Sequence, residues 1–321
     1  MKRSTRIAAL GATMAALAFP ILAQTVKITP LGGFDGEFCA LDRALIFEDP
    51  NGTRILFDAG TTVMGGEDPR LGKIDVVLVT HTHGDHLGKF HTKAIGAGTC
   101  GQPDISVSDL PNSNSVNIAL AKKSKIVVGS DMPQFFQAKL RANGGDPANV
   151  MLARFGASQT VGGVKIATVI ALHSNGLDPD YIGGELGAAM KAAGIWGDVG
   201  LATGYVLKFS NGLVVYLSGD TGITADQEDV VRGYYHANLA VMNIGDILLT
   251  GPLEAAYVMN ELVKPNSVIV SHANEAATVG GKVRPGTRTE TFMKAVKVPV
   301  HVPLSGKMME FDGNGKCTAG C

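Results

Sequence analysis

Residues 76–88 read VVLVTHTHGDHLG, a β-branched apolar run that ends in three histidines and an aspartate within six positions. The run Ile74–Val79 has the length and composition of a buried strand, so His81, His83, Asp85 and His86 lie on the loop that leaves it. Loops at the carboxyl ends of strands open onto crevices, where α/β proteins meet their ligands. Side chains two apart in extended backbone point to one side, so His81 and His83 can chelate one ion. Asp85 and His86 can then turn toward a second. A lone histidine is more often a core or surface residue than a ligand, but clustering of this density points to metal.

The same ending recurs along the chain. His173 closes VKIATVIALH, Asp220 closes LVVYLSGD, His272 closes NSVIVSH, and Asp58 ends RILFDAG in the same manner. Imidazole and carboxylate together suit zinc, iron or manganese, and a shared carboxylate lets two cations sit close without prohibitive repulsion. His91, His236 and His301 have no such setting and read as structural or surface residues.

These residues resemble the metallo-β-lactamase superfamily, whose H-x-H-x-D-H motif stands here as HTHGDH and whose later His, Asp and His match His173, Asp220 and His272. The resemblance covers nearly the whole chain after residue 23. It implies an α/β fold, an αββα sandwich of two mixed sheets flanked by helices. It further implies one metal on His81, His83 and His173, a second on Asp85, His86 and His272, and Asp220 bridging. Asp58 is then a brace for the histidine loop. The stretches GYVLKFSNGLVVYLSGDTG, LAVMNIGD and GPLEAAYVMNELVKPNSVIVSH look like the branch that includes ascorbate-phosphate lactonase and related metal-dependent hydrolases. True metallo-β-lactamases lack a carboxylate at the position of Asp220, which leaves antibiotic degradation a side activity at most. Only 49 residues follow His272, too few for the substrate domain of glyoxalase II.

The activity implied is hydrolysis by a metal-bound hydroxide, with Asp85 and Asp220 orienting it and moving its proton. Two divalent ions are expected, zinc foremost, with manganese or iron as alternatives. A Ser-His-Asp reading has no support, because G-x-S-x-G is absent. The expected substrate is a small molecule with a carboxylic ester, lactone or amide bond. A phosphodiesterase of the same fold and a non-catalytic metal-binding protein are the alternatives.

Composition sets the context. At 321 residues, 45% hydrophobic and 18% charged, the chain has ample material for a core. Lys2, Arg3 and Arg6 precede an apolar run from Ile7 to Leu22, which reads as a secretory signal over residues 1–23, with one hydrolase domain over 24–321. Without the three cations of that leader, the 28 Lys and Arg become 25 against 29 Asp and Glu, a formal charge of −4, so neither nucleic acid nor an anionic membrane is attracted. No later stretch can span a bilayer, so an exported, periplasmic or secreted protein with no stable membrane anchor is expected; its oligomeric state is open. Four cysteines suit an oxidising compartment, and the short spacing favours Cys317 with Cys321, leaving Cys39 with Cys100.

Apolar runs predict ten strands, and helical patterns fit 132–142, 183–193, 253–263 and 289–296. Residues 174–200 hold Leu177, Tyr181, Ile182, Leu186, Met190, Ile195 and the chain's only tryptophan, Trp196. They fit either a helix packed on the core or an apolar wall over the metals. One lysine against Asp178, Asp180, Glu185 and Asp198 makes that wall a poor lining for a phosphodiester.

Overall fold

The computed structural model describes residues 24–321; the leader expected over 1–23 lies outside the described residues. Each strand run alternates its side chains between two apolar layers, which is why it reads as continuously hydrophobic. In Val76–Leu78, Val76 and Leu78 point to one layer and Val77 to the other. The middle layer joins Val26, Phe47, Phe57 and Leu78 of one sheet to Ile166, Tyr205, Leu217 and Ile269 of the second. Outside the first sheet, Ile46, Val77 and Ile126 meet helical Val116, Phe136 and Leu140. Outside the second, Ala167, Tyr216 and Val268 meet Val231, Met259 and Phe292. Helix, sheet, sheet, helix is therefore the layer order.

The first sheet runs Val150–Leu152, Lys125–Val128, Val76–Leu78, Arg54–Phe57, Ala44–Glu48, Val26–Leu31, Met309–Phe311, Cys317–Ala319. The second runs Ser158–Val161, Val164–Ile170, Thr203–Lys208, Val214–Leu217, Leu239–Asn243, Ser267–Ser271, Val300–His301. Both are mixed. Arg54–Phe57, Val76–Leu78 and Lys125–Val128 are parallel neighbours in the first, as are Val214–Leu217, Leu239–Asn243 and Ser267–Ser271 in the second. Parallel neighbours end on the same side, and this gathers Asp58, the histidine loop, Asp220 and His272 at one mouth of the sandwich.

Every expected strand run contains a strand, and each expected helical pattern contains a helix, with Pro252–Tyr257 continuing into the π-helical turn Val258–Val263. The helix Asn114–Lys122 was not legible in its polar start, although Ser113 caps it by accepting from the Val116 amide at 3.3 Å. The strands Val150–Leu152 and Ser158–Val161 also escape a pattern reading, being short and, in the second case, half polar at a sheet edge. Among the described residues no helix is long and apolar enough to cross a membrane. Cys39 pairs with Cys100 and Cys317 with Cys321, the pairing favoured from spacing.

Candidate metal centre

The histidine loop starts where Leu78 leaves the sheet. Thr80, His81 and Thr82 continue, His83 stands at the start of the single helical turn Gly84–Leu87, and Gly88 closes it in the left-handed region with φ 82°. A side chain at Gly88 would strike the Gly60 carbonyl and Asn114, so only glycine permits this sharp a return. The turn swings Asp85 and His86 away from His81 and His83, giving two ligand directions from six residues.

Three groups of ligand atoms form, each with its members within 4.8 Å of one another: His81, His83 and His173; His81, His86 and Asp220; Asp85, His86 and His272. All seven residues expected at the site are therefore brought together. His81 Nε2 lies 3.0 Å from His83 Nδ1, which lies 3.3 Å from His173 Nε2. Asp220 stands between the groups, with Oδ1 3.3 Å from His86 Nε2 and Oδ2 3.2 Å from His272 Nε2 and 3.9 Å from both His81 and His173. Another grouping, His301 with Cys317 and Cys321, has its sulfurs in a disulfide, which removes the thiolates a metal needs.

Asp58, 1% exposed and held at φ 39°, braces the loop as expected. Its Oδ1 accepts the Thr80 amide at 2.9 Å; its Oδ2 accepts the Thr80 hydroxyl and His86 Nδ1–H, both at 2.8 Å. With its proton spent on Asp58, Thr80 Oγ1 accepts from His81 Nδ1–H at 3.0 Å. Both imidazoles are thereby held through Nδ1 with Nε2 aimed at the centre, the atom each would offer to a metal. Asn175 ties the loop to the next segment, its Oδ1 accepting the Thr82 amide at 2.8 Å and hydroxyl at 3.0 Å. Thr221 Oγ1 accepts the Leu172 amide at 3.0 Å and so joins the His173 loop to that of Asp220.

Arg43, just ahead of the strand Ala44–Glu48, was missed by pattern. Its Nη2 donates to Asp85 Oδ2 at 2.8 Å and Asn274 Oδ1 at 2.9 Å. A single arginine abutting an apolar run has no periodicity to betray it; the one signal was a charge set flush against a buried strand in LDRALIFE. Thr80, Asn175 and Asn274 were likewise invisible, since their roles exist only across chain segments.

Electrostatics favour a cation here. Burial would raise the Asp85 and Asp220 carboxyls, but Arg43 and His86 hold the first, and His86 and His272 the second, well below the ordinary range. Burial opposes charge on His86, yet Asp220, Asp58 and Asp85 raise its pKa to about 10. Burial holds His81 well below its usual value and lowers His83 and His173 too, so these three stay neutral, the form in which imidazole can bind a metal. His86 Nε2, His272 Nε2 and Asp220 Oδ1 are all buried without a hydrogen-bond partner. Unpaired buried polar atoms are costly, and three that converge are the signature expected of donors made for divalent metal.

Beside the first group, a cleft of about 540 Å³ is lined by His173, Asn175, Trp196, Asp198 and Leu201, among others. Trp196 is 53% exposed and meets the His83 ring edge-on at a centroid distance of 6.4 Å. Within 174–200, Leu177 and Tyr181 are buried anchors, while the helix Gly184–Ala192 buries only Gly187 and leaves Leu186 exposed. The segment is thus pinned at its start and lies on the surface thereafter, rather than packing a helix on the core. Asp178 and Asp180 accept from Lys89 Nζ at 2.6 and 2.7 Å, and Asp180 also from Lys191 at 2.7 Å. Their charge is largely balanced. His91 is a structural residue, bonded to Asp109 Oδ2 at 2.7 Å.

Two mixed sheets between helices, with histidines and carboxylates converging at one mouth, define a metallohydrolase class. The Beta-lactamase superfamily domain matches residues 42–272. A UPF0173 metal-dependent hydrolase of Thermococcus onnurineus is 30% identical over 268 residues, 82% of this chain and 95% of that one. Another, of Koribacter versatilis, is 29% identical over 239 residues, 73% of this chain and 82% of its own length. Among solved structures, Igni18, a metallo hydrolase of the archaeon Ignicoccus hospitalis, superposes with a TM-score of 0.58 at 20% identity, covering 90% of this chain and 99% of that one. The chain belongs to the metallo-β-lactamase superfamily and is a metal-dependent hydrolase with its fold.

Proposed function

We propose that the protein is an exported binuclear hydrolase that cleaves an uncharged or weakly polar carboxylic ester or lactone. The observation that carries the binuclear reading is the convergence of His86 Nε2, His272 Nε2 and Asp220 Oδ1, buried and unpartnered, beside the separate triad His81, His83 and His173. His81, His83 and His173 would hold one divalent ion, Asp85, His86 and His272 the other, and Asp220 both. Zinc suits this nitrogen-rich donor set, with manganese or iron as alternatives. When bound, such ions make hydroxide available at neutral pH and polarise the scissile group.

The chain's own residues do the rest. Asp58 and Thr80 keep the protons of His86 and His81 on Nδ1, so that neither ring has to turn or exchange tautomer. Asp220 Oδ1, without a hydrogen-bond donor, is the carboxylate oxygen free to orient an attacking water and accept its proton. Asp85 is committed on Oδ2 to Arg43, which leaves it a poorer base and a better orienting group. Trp196 and Leu201 supply an apolar wall for the acyl or alcohol portion, and Asp198 is the one acidic residue lining the cleft, which includes no lysine or arginine. That lining supports an uncharged substrate over a phosphodiester.

Export rests on the basic start and apolar run of residues 1–23, with both cysteine pairs in keeping with an oxidising compartment. Comparing kcat/KM on acyl lactones and aryl esters with that on bis-aryl phosphates tests the substrate class. Faster ester or lactone cleavage is expected, and faster phosphodiester cleavage would replace this reading by the phosphodiesterase one. Amino-terminal sequencing of the mature protein should begin at Gln24.

A further inference from the structure

The two halves of the ligand cluster differ in what stands behind their nitrogen atoms. His81 turns Nδ1 to the Thr80 hydroxyl and His86 turns Nδ1 to the Asp58 carboxylate, each an acceptor. His272 has the opposite arrangement. The group facing its Nδ1 is Arg43 Nη2 at 3.5 Å, a donor with a positive charge. Metal-ligating histidines ordinarily give their other N–H to an acceptor, which makes the ligating nitrogen more basic. A guanidinium in that place withdraws support from His272.

The same nitrogen engages Asp85. Arg43 Nη2 lies 2.8 Å from Asp85 Oδ2, the oxygen that also faces His272 Nε2 at 3.4 Å and His86 Nε2 at 3.8 Å. An ion held by those three residues must therefore share its carboxylate oxygen with the guanidinium. Arg43 cannot swing away to water, because its side chain is 3% exposed and Asn274 Oδ1 holds it at 2.9 Å. Adding a carboxylate–metal bond of about 2.0–2.2 Å to the 2.8 Å contact puts the guanidinium nitrogen within roughly 5 Å of such an ion. Like charges that close in a buried site repel strongly. The polar contacts of Arg43 are with Ala40, Asp85, His272 and Asn274, so the penalty falls most heavily on one group of ligands and less on His81, His83 and His173, which it does not touch.

We propose that Arg43 makes the two metal sites unequal: one ion is held tightly by His81, His83 and His173, and the second is held weakly and exchanges with its surroundings. This rests on the binuclear reading above. It makes hydrolysis respond to the supply of free metal, since the tight ion alone leaves half of the donor set unused.

The test is a zinc titration of metal-free wild type, Arg43→Met and Arg43→Lys against a chromophoric chelator, read as stepwise affinities without reference to activity. Wild type should bind one ion roughly a hundredfold more tightly than the other. Arg43→Met should strengthen the weaker step by about tenfold or more, equivalent to about 1.4 kcal/mol, and leave the tighter step within about threefold. Arg43→Lys, which keeps the charge, should remain near wild type. Two equally tight ions in wild type would overturn the proposal without any variant having to fold. So would a second step unchanged or weaker in Arg43→Met, which would mean that Arg43 aims Asp85 at the metal. His81→Ala and His272→Ala separate the two failures. If each removes one ion and the steps are equal, the binuclear reading stands and the role of Arg43 falls; if neither alters uptake, both fall.

Discussion

Replacing Asp58 by Asn keeps the shape of the side chain but removes its negative charge and turns one acceptor atom into a donor. Asparagine tolerates the φ of 39° at this position, so the backbone should be kept. The amide oxygen can take the place of Oδ1 and receive the Thr80 amide, but the new NH2 then stands where Oδ2 received both the Thr80 hydroxyl and His86 Nδ1–H. Two donors cannot face each other in a site this buried. The hydroxyl can rotate; the imidazole can escape only by moving its proton to Nε2, the atom 3.3 Å from Asp220 that is meant to bind metal. A hydrogen bond to a charged group contributes about 1.5–3 kcal/mol, which at 1.4 kcal/mol per factor of ten is roughly 10- to 150-fold in affinity. Competitive zinc titration should show that loss at the Asp85, His86 and His272 group, with kcat/KM on an aryl ester falling in parallel and recovering as zinc is raised. Unchanged affinity, or a loss confined to the His83 and His173 side, would refute the claim that Asp58 acts through the His86 tautomer.

Other perturbations read different parts of the account. Trp196→Ala should raise KM for aryl esters and acyl lactones about two- to twelvefold, as expected when a partly buried aromatic contact of about 0.5–1.5 kcal/mol is lost, with kcat nearly constant; a variant kinetically identical on every ester removes the cleft argument. Lys89→Met leaves Asp178 and Asp180 without their shared cation, and limited proteolysis should then cut within 174–200 faster while the rest of the chain resists. Arg70 clamps Asp68 and also donates to the Gly32 and Thr62 carbonyls. Burial would raise the Asp68 carboxyl, but the Arg70 hydrogen bond and the Met64 amide hold it below its ordinary value, so its contribution is present above about pH 4 and lost as pH falls through the lowered pKa. Asp68→Asn should cost about 2 kcal/mol at pH 7, the scale of a hydrogen bond to a charged group, in denaturant melts and flatten the acid limb of stability; an unchanged acid limb contradicts it.

What could be read from the sequence follows from burial. Strands covered on both faces appear as unbroken apolar runs, so a histidine or aspartate at the end of each run stood out, and His81, His83, Asp85, His86, His173, Asp220 and His272 were all found that way. Strand order was not legible, because pairing across a sheet is decided by contacts between distant segments, and the buried strand Leu239–Asn243 was passed over although its run is as apolar as the rest. Arg43 was beyond reach because its partners, Asp85 and Asn274, lie on other segments and its own neighbourhood looks like any strand entry. The weight of 174–200 was misjudged from charge counting, since Lys89 lies outside the segment and neutralises two of its acids. The helix Asn114–Lys122 stayed hidden because Asn114 is buried by its bonds to the Gly60 and Val63 carbonyls, a tertiary reason that a polar sequence does not advertise.

The central claim is that two ions share one mouth of the sandwich. Anomalous diffraction at the zinc absorption edge, on crystals grown with excess zinc, tests it most directly. The account predicts two peaks about 3.5–4 Å apart, one among His81, His83 and His173, the other among Asp85, His86 and His272 with lower occupancy, and Asp220 between them. A single peak at saturating zinc, or peaks away from these residues, would contradict it.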